Sequence, residues 1–177
     1  AAAYITSASA ASLTGRSLAT LLAVFLTVGV LASALNAPDP YWWERYFSEL
    51  GEGQDLASLT FNVTLLLTGV ALLMVAEFLA HDLDRWVRAA GQPHRLTVVV
   101  RSLLSVVGVL VALVALVSRT VSVFWHDVIA QLLVGVFGLT LLLVPLLLRR
   151  LPGALLWFTA AAFALLSLPL AGTANAD

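Results

Sequence analysis

The sequence predicts an all-α integral membrane protein, a helical bundle of about five transmembrane helices that forms one domain over residues 1–177. Two observations carry this prediction. First, 61% of the residues are hydrophobic and only 11% are charged. A single soluble core of this size could not bury so many apolar residues. Second, the apolar residues fall in five runs, each long enough to cross a hydrocarbon layer of about 30 Å.

The five runs cover residues 18–35, 56–79, 96–117, 128–148 and 151–170. In lipid every backbone polar group must find its partner within the protein, so only helices and closed barrels can span a membrane. None of the runs shows the alternation of apolar and polar residues that is typical of barrel strands. Each run is therefore predicted to be a helix.

The arginines predict the orientation in the membrane. All nine basic residues are arginine, and seven of them flank the runs on one side, whereas only Arg45 and Arg119 lie on the other. Because basic residues are enriched in cytoplasmic flanks, the N-terminus is predicted inside and the C-terminus outside. The expected location is the bacterial cell (plasma) membrane. An odd number of spans makes a sixth span after residue 177 an expectation.

The first outer loop is rich in aromatic residues and predicts a short amphipathic helix in the membrane interface. Asp39 suits the N-cap of this helix, and Gly51 suits the residue after its end. Trp43 and Phe47 share one face of the helix, and tryptophan is enriched at the depth of the lipid headgroups. These two residues are therefore predicted to anchor the protein in lipid or to bind a lipid or a partner.

Polar side chains at the outer ends of spans two, three and four form a second candidate site. If the spans pack antiparallel in sequence order, Arg119, Asp127 and Glu49 converge with Asn62 and Gln131, which each lie about one turn inside a span. Polar groups at membrane depth usually face protein and have partners. Arg119 is therefore expected to pair with Asp127 or Glu49 and to hold the loops over the bundle.

A different interpretation makes the chain a membrane-embedded enzyme that acts on an envelope lipid. His126, Asp127 and Glu49 are then the candidate acid and base groups, while Asn62 and Arg119 position an anionic head. However, adjacent helical residues point about 100° apart, so Asp127 would not orient His126 as a triad carboxylate does. No H-E-x-x-H, G-x-S-x-G or P-loop motif is present. An enzyme is therefore less favoured.

No metal site and no cofactor are predicted, because the chain has no cysteine and two of its three histidines belong to the opposite loop. Nucleic acid is not an expected partner of a chain with net charge -1 and no basic tract. A small transporter is disfavoured because the spans are apolar at mid-depth. Glu77, the one acid within a span, is expected to reach the headgroups or to pair with Arg101.

The favoured function is non-catalytic: an accessory subunit of a membrane complex, or a module that binds lipids of the outer leaflet. Membrane lipids and other membrane protein subunits are the expected partners. This expectation depends on the aromatic loop, on the small residues that allow helices to pack closely, and on the lack of a catalytic motif.

Some of these residues also resemble a known family. The loop ending in Ser48-Glu49-Leu50-Gly51, the second span opening at Phe61-Asn62 with Gly69 further along it, and His126 at the start of span four are similar to a bacterial family of multispanning proteins, domain of unknown function 998. The resemblance covers about residues 41–148. It implies a membrane helical fold that usually has six spans. Similar signatures in eukaryotic families linked to GPI-anchor remodelling and autophagy imply lipid handling by analogy only.

Overall fold

The computed structural model describes residues 15–44, 46–147 and 161 of the chain. This part contains four long helices, and no strand occurs among the described residues. The helices are α1 (Gly15–Leu35), α2 (Leu56–Ala89), α3 (Arg95–Leu116) and α4 (Val123–Leu147). By length and composition, all four could cross a membrane. The predicted fifth span, residues 151–170, lies outside the described residues except for position 161.

The helices pack antiparallel in sequence order. α2 makes its principal contacts with α1 and α3, while α4 packs on α3. In the most apolar stretch of each helix, 33% of the residues are buried in α2, but only 6% in α1 and 11% in α4. The four described helices therefore form a row in which α2 and α3 provide the core and the two end helices keep most of their surface open.

α2 and α3 approach each other closely at two glycines. Gly69 and Gly108 are buried where the two helices meet. A β-carbon on Gly69 would lie 2.6 Å from the carbonyl oxygen of Gly108 and 2.7 Å from the backbone nitrogen of Ala112. Only glycine fits at this position, because the obstacle is backbone that cannot rotate away. Small residues thus set the distance between the two central helices.

α2 is 34 residues long and reaches about 51 Å at 1.5 Å per residue, so it continues past the end of the predicted span at residue 79. Ion pairs at helical spacing lie along this continuation: Asp82 pairs with Arg85, and Asp84 pairs with Arg88. The helix ends at Ala89, and Gly91 just beyond it has a φ of 65°, which favours glycine.

The loop between α1 and α2 differs from the predicted amphipathic helix. It contains two short 3₁₀ helices, Trp42–Glu44 and Phe47–Gly51, and Tyr46 between them is extended. Asp39 does not cap a helix here; its Oδ1 accepts a hydrogen bond from the backbone N–H of Tyr41 at 2.8 Å, which closes a turn. The prediction of one continuous helix was therefore wrong.

Ring packing explains this break in the loop. The rings of Trp42 and Phe47 meet edge on, with centroids 6.3 Å apart. Residues five positions apart on an α-helix point about 140° away from each other, so one continuous helix would separate the two rings. The extended Tyr46 turns the chain and lets both rings pack together.

α4 begins five positions before the predicted span, at Val123 rather than at residue 128. His126 and Asp127 interrupt the apolar run, but they lie within the first turns of the helix, where an acidic side chain is favourable. As a consequence Gln131 lies more than two turns inside α4, deeper than the one turn that the sequence predicted.

Candidate functional site

Two loops lie side by side at one end of the row, residues 36–55 before α2 and residues 117–122 before α4. We call these loops and the first turns of α2 and α4 the cap. The first loop is seated firmly on α2, since Leu50 and Gly51 are buried. Asn62, one of the predicted site residues, donates a hydrogen bond from Nδ2 to the carbonyl oxygen of Gly51 at 3.1 Å. Its amide therefore holds the loop in place.

Arg119 connects three segments of the cap. Its Nε lies 2.8 Å from Oε1 of Glu52, and its Nη1 donates to Oδ1 of Asp127 at 2.7 Å. The guanidinium carbon lies 4.8 Å from the centre of the Tyr46 ring, a cation–π contact. The Arg119 side chain is only 21% exposed, so water weakens these contacts less than those of a surface pair. The arginine therefore links the first loop to the start of α4.

The predicted pairing of Arg119 with Asp127 is confirmed, but Glu52 and not Glu49 is the second carboxylate. Glu52 was missed as a site residue. Nothing in the local sequence distinguishes it from Glu49, because their positions depend on how the two 3₁₀ turns fold. Trp42 and Phe61 were missed for the same reason, since their role comes from ring contacts across the loop.

His126 fixes the turn between α3 and α4. Its Nδ1 lies 2.8 Å from the carbonyl oxygen of Val117. Because a carbonyl oxygen can only accept, Nδ1 carries a proton and donates it. The residue is buried, at 6% exposure. Asp127, its neighbour on the helix, binds Arg119 instead, so these two candidate acid/base groups have separate partners.

Glu49, the third candidate acid/base group, lines a different part of the cap. It borders a cavity of about 140 Å³ together with Asp39, Glu52 and Asp55, and Trp42 forms part of the wall. At about 30 Å³ per molecule, this volume would admit roughly four waters. The acidic lining favours cations over anions. Even so, no group of three or more His, Cys, Asp or Glu side chains in the described ranges is placed to hold a metal ion.

Asp55 at the edge of this cavity caps α2. Its Oδ1 accepts a hydrogen bond from the backbone N–H of Ser58 at 2.8 Å and another from the Ser58 hydroxyl at 3.0 Å. The backbone hydrogen bond stabilises the carboxylate and lowers the pKa of Asp55 below its usual value. The cap therefore keeps a fixed negative charge where α2 begins, which the helix dipole favours.

Aromatic rings cover the outward side of the cap. Trp42 contacts both Trp43 and Phe47, with centroids 6.1 and 6.3 Å apart, and Tyr41 lies 5.9 Å from Trp43. Phe47 in turn packs edge on against Phe61 of α2 at 5.4 Å. Tyr41, Trp43 and Phe47 are 60%, 61% and 56% exposed, although they are packed together. We call the rings of Tyr41, Trp42, Trp43 and Phe47 the aromatic surface.

Gln131 does not join the other predicted site residues. It is exposed on α4 and borders a groove whose described lining residues belong to that helix, including Val128, Gly135 and Leu139. The other candidates occupy three places. Asn62, His126, Asp127 and Arg119 brace the cap, Glu49 borders the acidic cavity, and Trp43 and Phe47 belong to the aromatic surface.

At the opposite end of the row, Glu77 pairs with Arg101, which is one of the two alternatives that the sequence predicted for this residue. Nε of Arg101 donates to Oε1 of Glu77 at 2.8 Å, and both side chains are more than half exposed. Such a pair contributes about 0–1 kcal/mol and belongs to the surface of α2 and α3.

No protein-family model, curated protein or solved structure matches this chain. The resemblance to the family of domain of unknown function 998 therefore stays an expectation from short motifs, and the functional argument depends on the geometry of the cap.

Proposed function

We propose that this protein is a non-catalytic accessory subunit of a membrane complex. In this proposal the N-terminus lies in the cytoplasm, the cap lies at the outer surface of the cell membrane, and a partner membrane protein docks on the aromatic surface. The observation that carries the proposal is the aromatic surface itself, in which Tyr41, Trp43 and Phe47 stay exposed although the rings are packed together and fixed to α2 through Phe61.

The rigid support favours binding over simple anchoring. Rings that only dip into headgroups need no fixed arrangement, whereas a docking site gains affinity when its residues are ordered in advance. Here Arg119 ties Glu52 to Asp127, and Asn62 holds the carbonyl oxygen of Gly51. Exposed tryptophan and tyrosine are also enriched in protein interfaces.

The bonds of the polar candidates support a structural role over a catalytic one. His126 and Asp127 hold Val117 and Arg119, so neither presents a free group to the other. A general base must reach the proton it removes, and burial of His126 leaves it little access to a substrate.

The charge of the loop indicates the chemistry of the partner. Within residues 36–55 the acidic residues are Asp39, Glu44, Glu49, Glu52 and Asp55, against the single basic residue Arg45. A segment with this balance attracts basic groups and repels anionic ones. The proposed partner therefore offers apolar side chains together with arginine or lysine near the outer membrane surface.

Native purification with matched variants tests the proposal. We expect the wild-type protein, extracted gently from its native membranes, to co-purify with a membrane protein in fixed stoichiometry. Trp43→Ala with Phe47→Ala should lower the recovered partner at least tenfold, because exposed aromatic anchors commonly contribute 2 kcal/mol or more each, at about 1.4 kcal/mol per tenfold. Mass spectrometry of proteins and lipids provides the measurement.

Val24→Ala with Phe25→Ala, two exposed positions on α1, is the matched control and should retain the partner. Unfolding midpoints of both double variants must stay close to that of the wild type. A partner that survives loss of both rings would contradict the proposal. Recovery of one lipid class, lost with the rings while no protein is recovered, would replace the accessory subunit with a lipid-binding module.

A further inference from the structure

A groove runs between α1 and α2 on one side of the row. Its described lining residues lie between Leu18 and Phe25 on α1 and between Leu67 and Val75 on α2, and all of them are apolar. The groove has a volume of about 330 Å³. At about 30 Å³ for each methylene group, close to the volume of a water molecule, it has room for roughly ten methylene groups.

The groove lies in one half of the membrane. On both helices its residues belong to the half of the predicted span that ends at the arginine-rich side, within residues 18–25 of the span 18–35 and residues 67–75 of the span 56–79. Eight residues of a helix rise about 12 Å, which is close to the half-thickness of about 15 Å of the hydrocarbon layer. The groove therefore matches the acyl chains of one leaflet in depth and in length. In the proposed orientation this is the inner leaflet.

The face of α2 that lines the groove continues to a pair of charged side chains at the end of the apolar run. Because positions seven apart share a face of a helix, Ala71 in the groove leads through Phe78 to Arg85. Arg85 pairs with Asp82, and the two side chains are 65% and 47% exposed. A β-carbon on Gly15, the first residue of α1, would lie 3.5 Å from Oδ2 of Asp82. The charged pair therefore lies where the two helices that form the groove meet, at the depth of the headgroups.

We propose that this groove binds an acyl chain of a zwitterionic phospholipid whose headgroup carries a primary amine. The lipid phosphate accepts a hydrogen bond from the guanidinium of Arg85, and the lipid ammonium donates one to the carboxylate of Asp82. The two opposite charges of such a headgroup match the two opposite charges of the pair. An anionic headgroup would satisfy Arg85 as well, but it would be repelled by Asp82.

Shape favours this site over a flat helix face. Lipid chains are as apolar as leucine, so an apolar surface gives no preference for one lipid by itself. A groove between two helices contacts a chain from two sides and so provides more dispersion contacts than a single helix does. Met74 in the wall is 59% exposed, and its flexible thioether can adapt to the chain.

Other segments of the chain suit the groove less well than a lipid does. Residues 148–150 join α4 to the predicted span 151–170, and three residues reach about 10 Å at most. α3 and α2 lie between α4 and the groove, and two helix spacings amount to about 16–20 Å. The 14 residues before α1 include five serines and threonines, whose hydroxyls an apolar groove would not satisfy. The inference does not depend on the partner proposed for the aromatic surface.

Lipid titration followed by native mass spectrometry tests the proposal. The delipidated protein in mild detergent is mixed with phosphatidylethanolamine, phosphatidylcholine or phosphatidylglycerol at defined ratios. We expect phosphatidylethanolamine to bind about two- to fivefold more tightly than the other two lipids, as is typical of exposed charge pairs. Met74→Trp should weaken this binding about fivefold, which is about 1 kcal/mol at 1.4 kcal/mol per tenfold, because the indole ring fills the groove. Val24→Trp, 56% exposed on another face of α1, is the matched control and should bind as the wild type does.

A second variant separates the headgroup from the chain. Asp82→Asn removes the carboxylate and should abolish the preference for phosphatidylethanolamine over phosphatidylglycerol, while the total amount of bound lipid stays within about twofold. Glu77→Gln is the matched control, because this exposed acid pairs with Arg101 of α3, away from the groove. It should keep the preference of the wild type.

Three results would overturn the proposal. One is a Met74→Trp protein that binds phosphatidylethanolamine as tightly as the wild type does. Another is a wild-type protein that prefers phosphatidylglycerol or does not distinguish the three headgroups. The third is a disulfide between Met74→Cys and Leu156→Cys on mild oxidation in native membranes, since the chain has no cysteine of its own and the segment after α4 would then occupy the groove.

Discussion

Arg119 shows how one residue can organise a cap built from distant parts of the sequence. It follows α3, yet it binds Glu52 before α2 and Asp127 in α4. Its planar guanidinium can serve both carboxylates at once and still stack on Tyr46, which the single ammonium of a lysine could not do. The identity of this residue therefore matters more than its charge.

We expect Arg119→Ala to destabilise the protein by about 1–2 kcal/mol, because two partly buried carboxylates lose their partner. The figure is below that of a fully buried pair since both acids retain some contact with water. Arg119→Lys should recover less than half of the loss. The measurement is unfolding in mild detergent followed by tryptophan fluorescence.

Arg85→Ala is the matched control, because Arg85 forms an exposed pair with Asp82 and should change stability by less than 0.5 kcal/mol or so. If Arg119→Ala changed stability as little as this control does, the contacts of Arg119 across the cap would not stabilise the protein.

The residue contacts that the sequence predicted follow from helices that pack antiparallel in chain order. Arg119 and Asp127 flank one turn, and a row of antiparallel helices brings Glu77 next to Arg101. Glu52 could not be predicted in the same way. Its position depends on the extended Tyr46 and on ring packing within the loop, which are tertiary effects with no hydropathy signal.

At the scale of elements, hydropathy placed the start of α2 and both ends of α3 well, because these apolar runs begin near a charged or capping residue. Asp55 caps α2, and α3 starts at Arg95. It failed at the start of α4, where two polar residues belong to the helix because they have partners. It also failed in the first loop, since helical periodicity does not show whether five residues form a 3₁₀ turn or continue a helix.

Replacing Gly69 of α2 and Gly135 of α4 by alanine is expected to change the stability of the protein in opposite directions. Gly69→Ala should destabilise the protein by about 1–3 kcal/mol, because its β-carbon would press on the backbone of α3. Gly135→Ala should leave the stability of the protein unchanged or raise it by up to about 1 kcal/mol, since a β-carbon at Gly135 would meet no atom within 4 Å and alanine favours helix. Unfolding of both variants in the same mild detergent gives the comparison. Equal effects of the two substitutions would mean that α2 and α3 do not pack as closely as described.

For the whole molecule, the row of helices separates two ends of different chemistry. The cap end carries the aromatic surface and the acidic cavity, while the other end carries the extension of α2 with its arginine and aspartate pairs. The sequence predicted this contrast from the positions of the arginines. It could not predict how few residues α1 and α4 bury against the other described helices, because burial depends on how many neighbours each helix has.

The orientation proposed for this row can be measured with single cysteines in the cysteine-free chain. Gln54→Cys lies in the first loop of the cap and His81→Cys lies beyond the predicted end of span two, and both positions are exposed. Because arginines are concentrated at the His81 end, we expect a membrane-impermeant maleimide to label Gln54→Cys in intact cells and to label His81→Cys only after permeabilisation. The reverse pattern would place the cap in the cytoplasm. A partner for the aromatic surface would then have to be sought on that side, among basic cytoplasmic segments rather than at the outer leaflet.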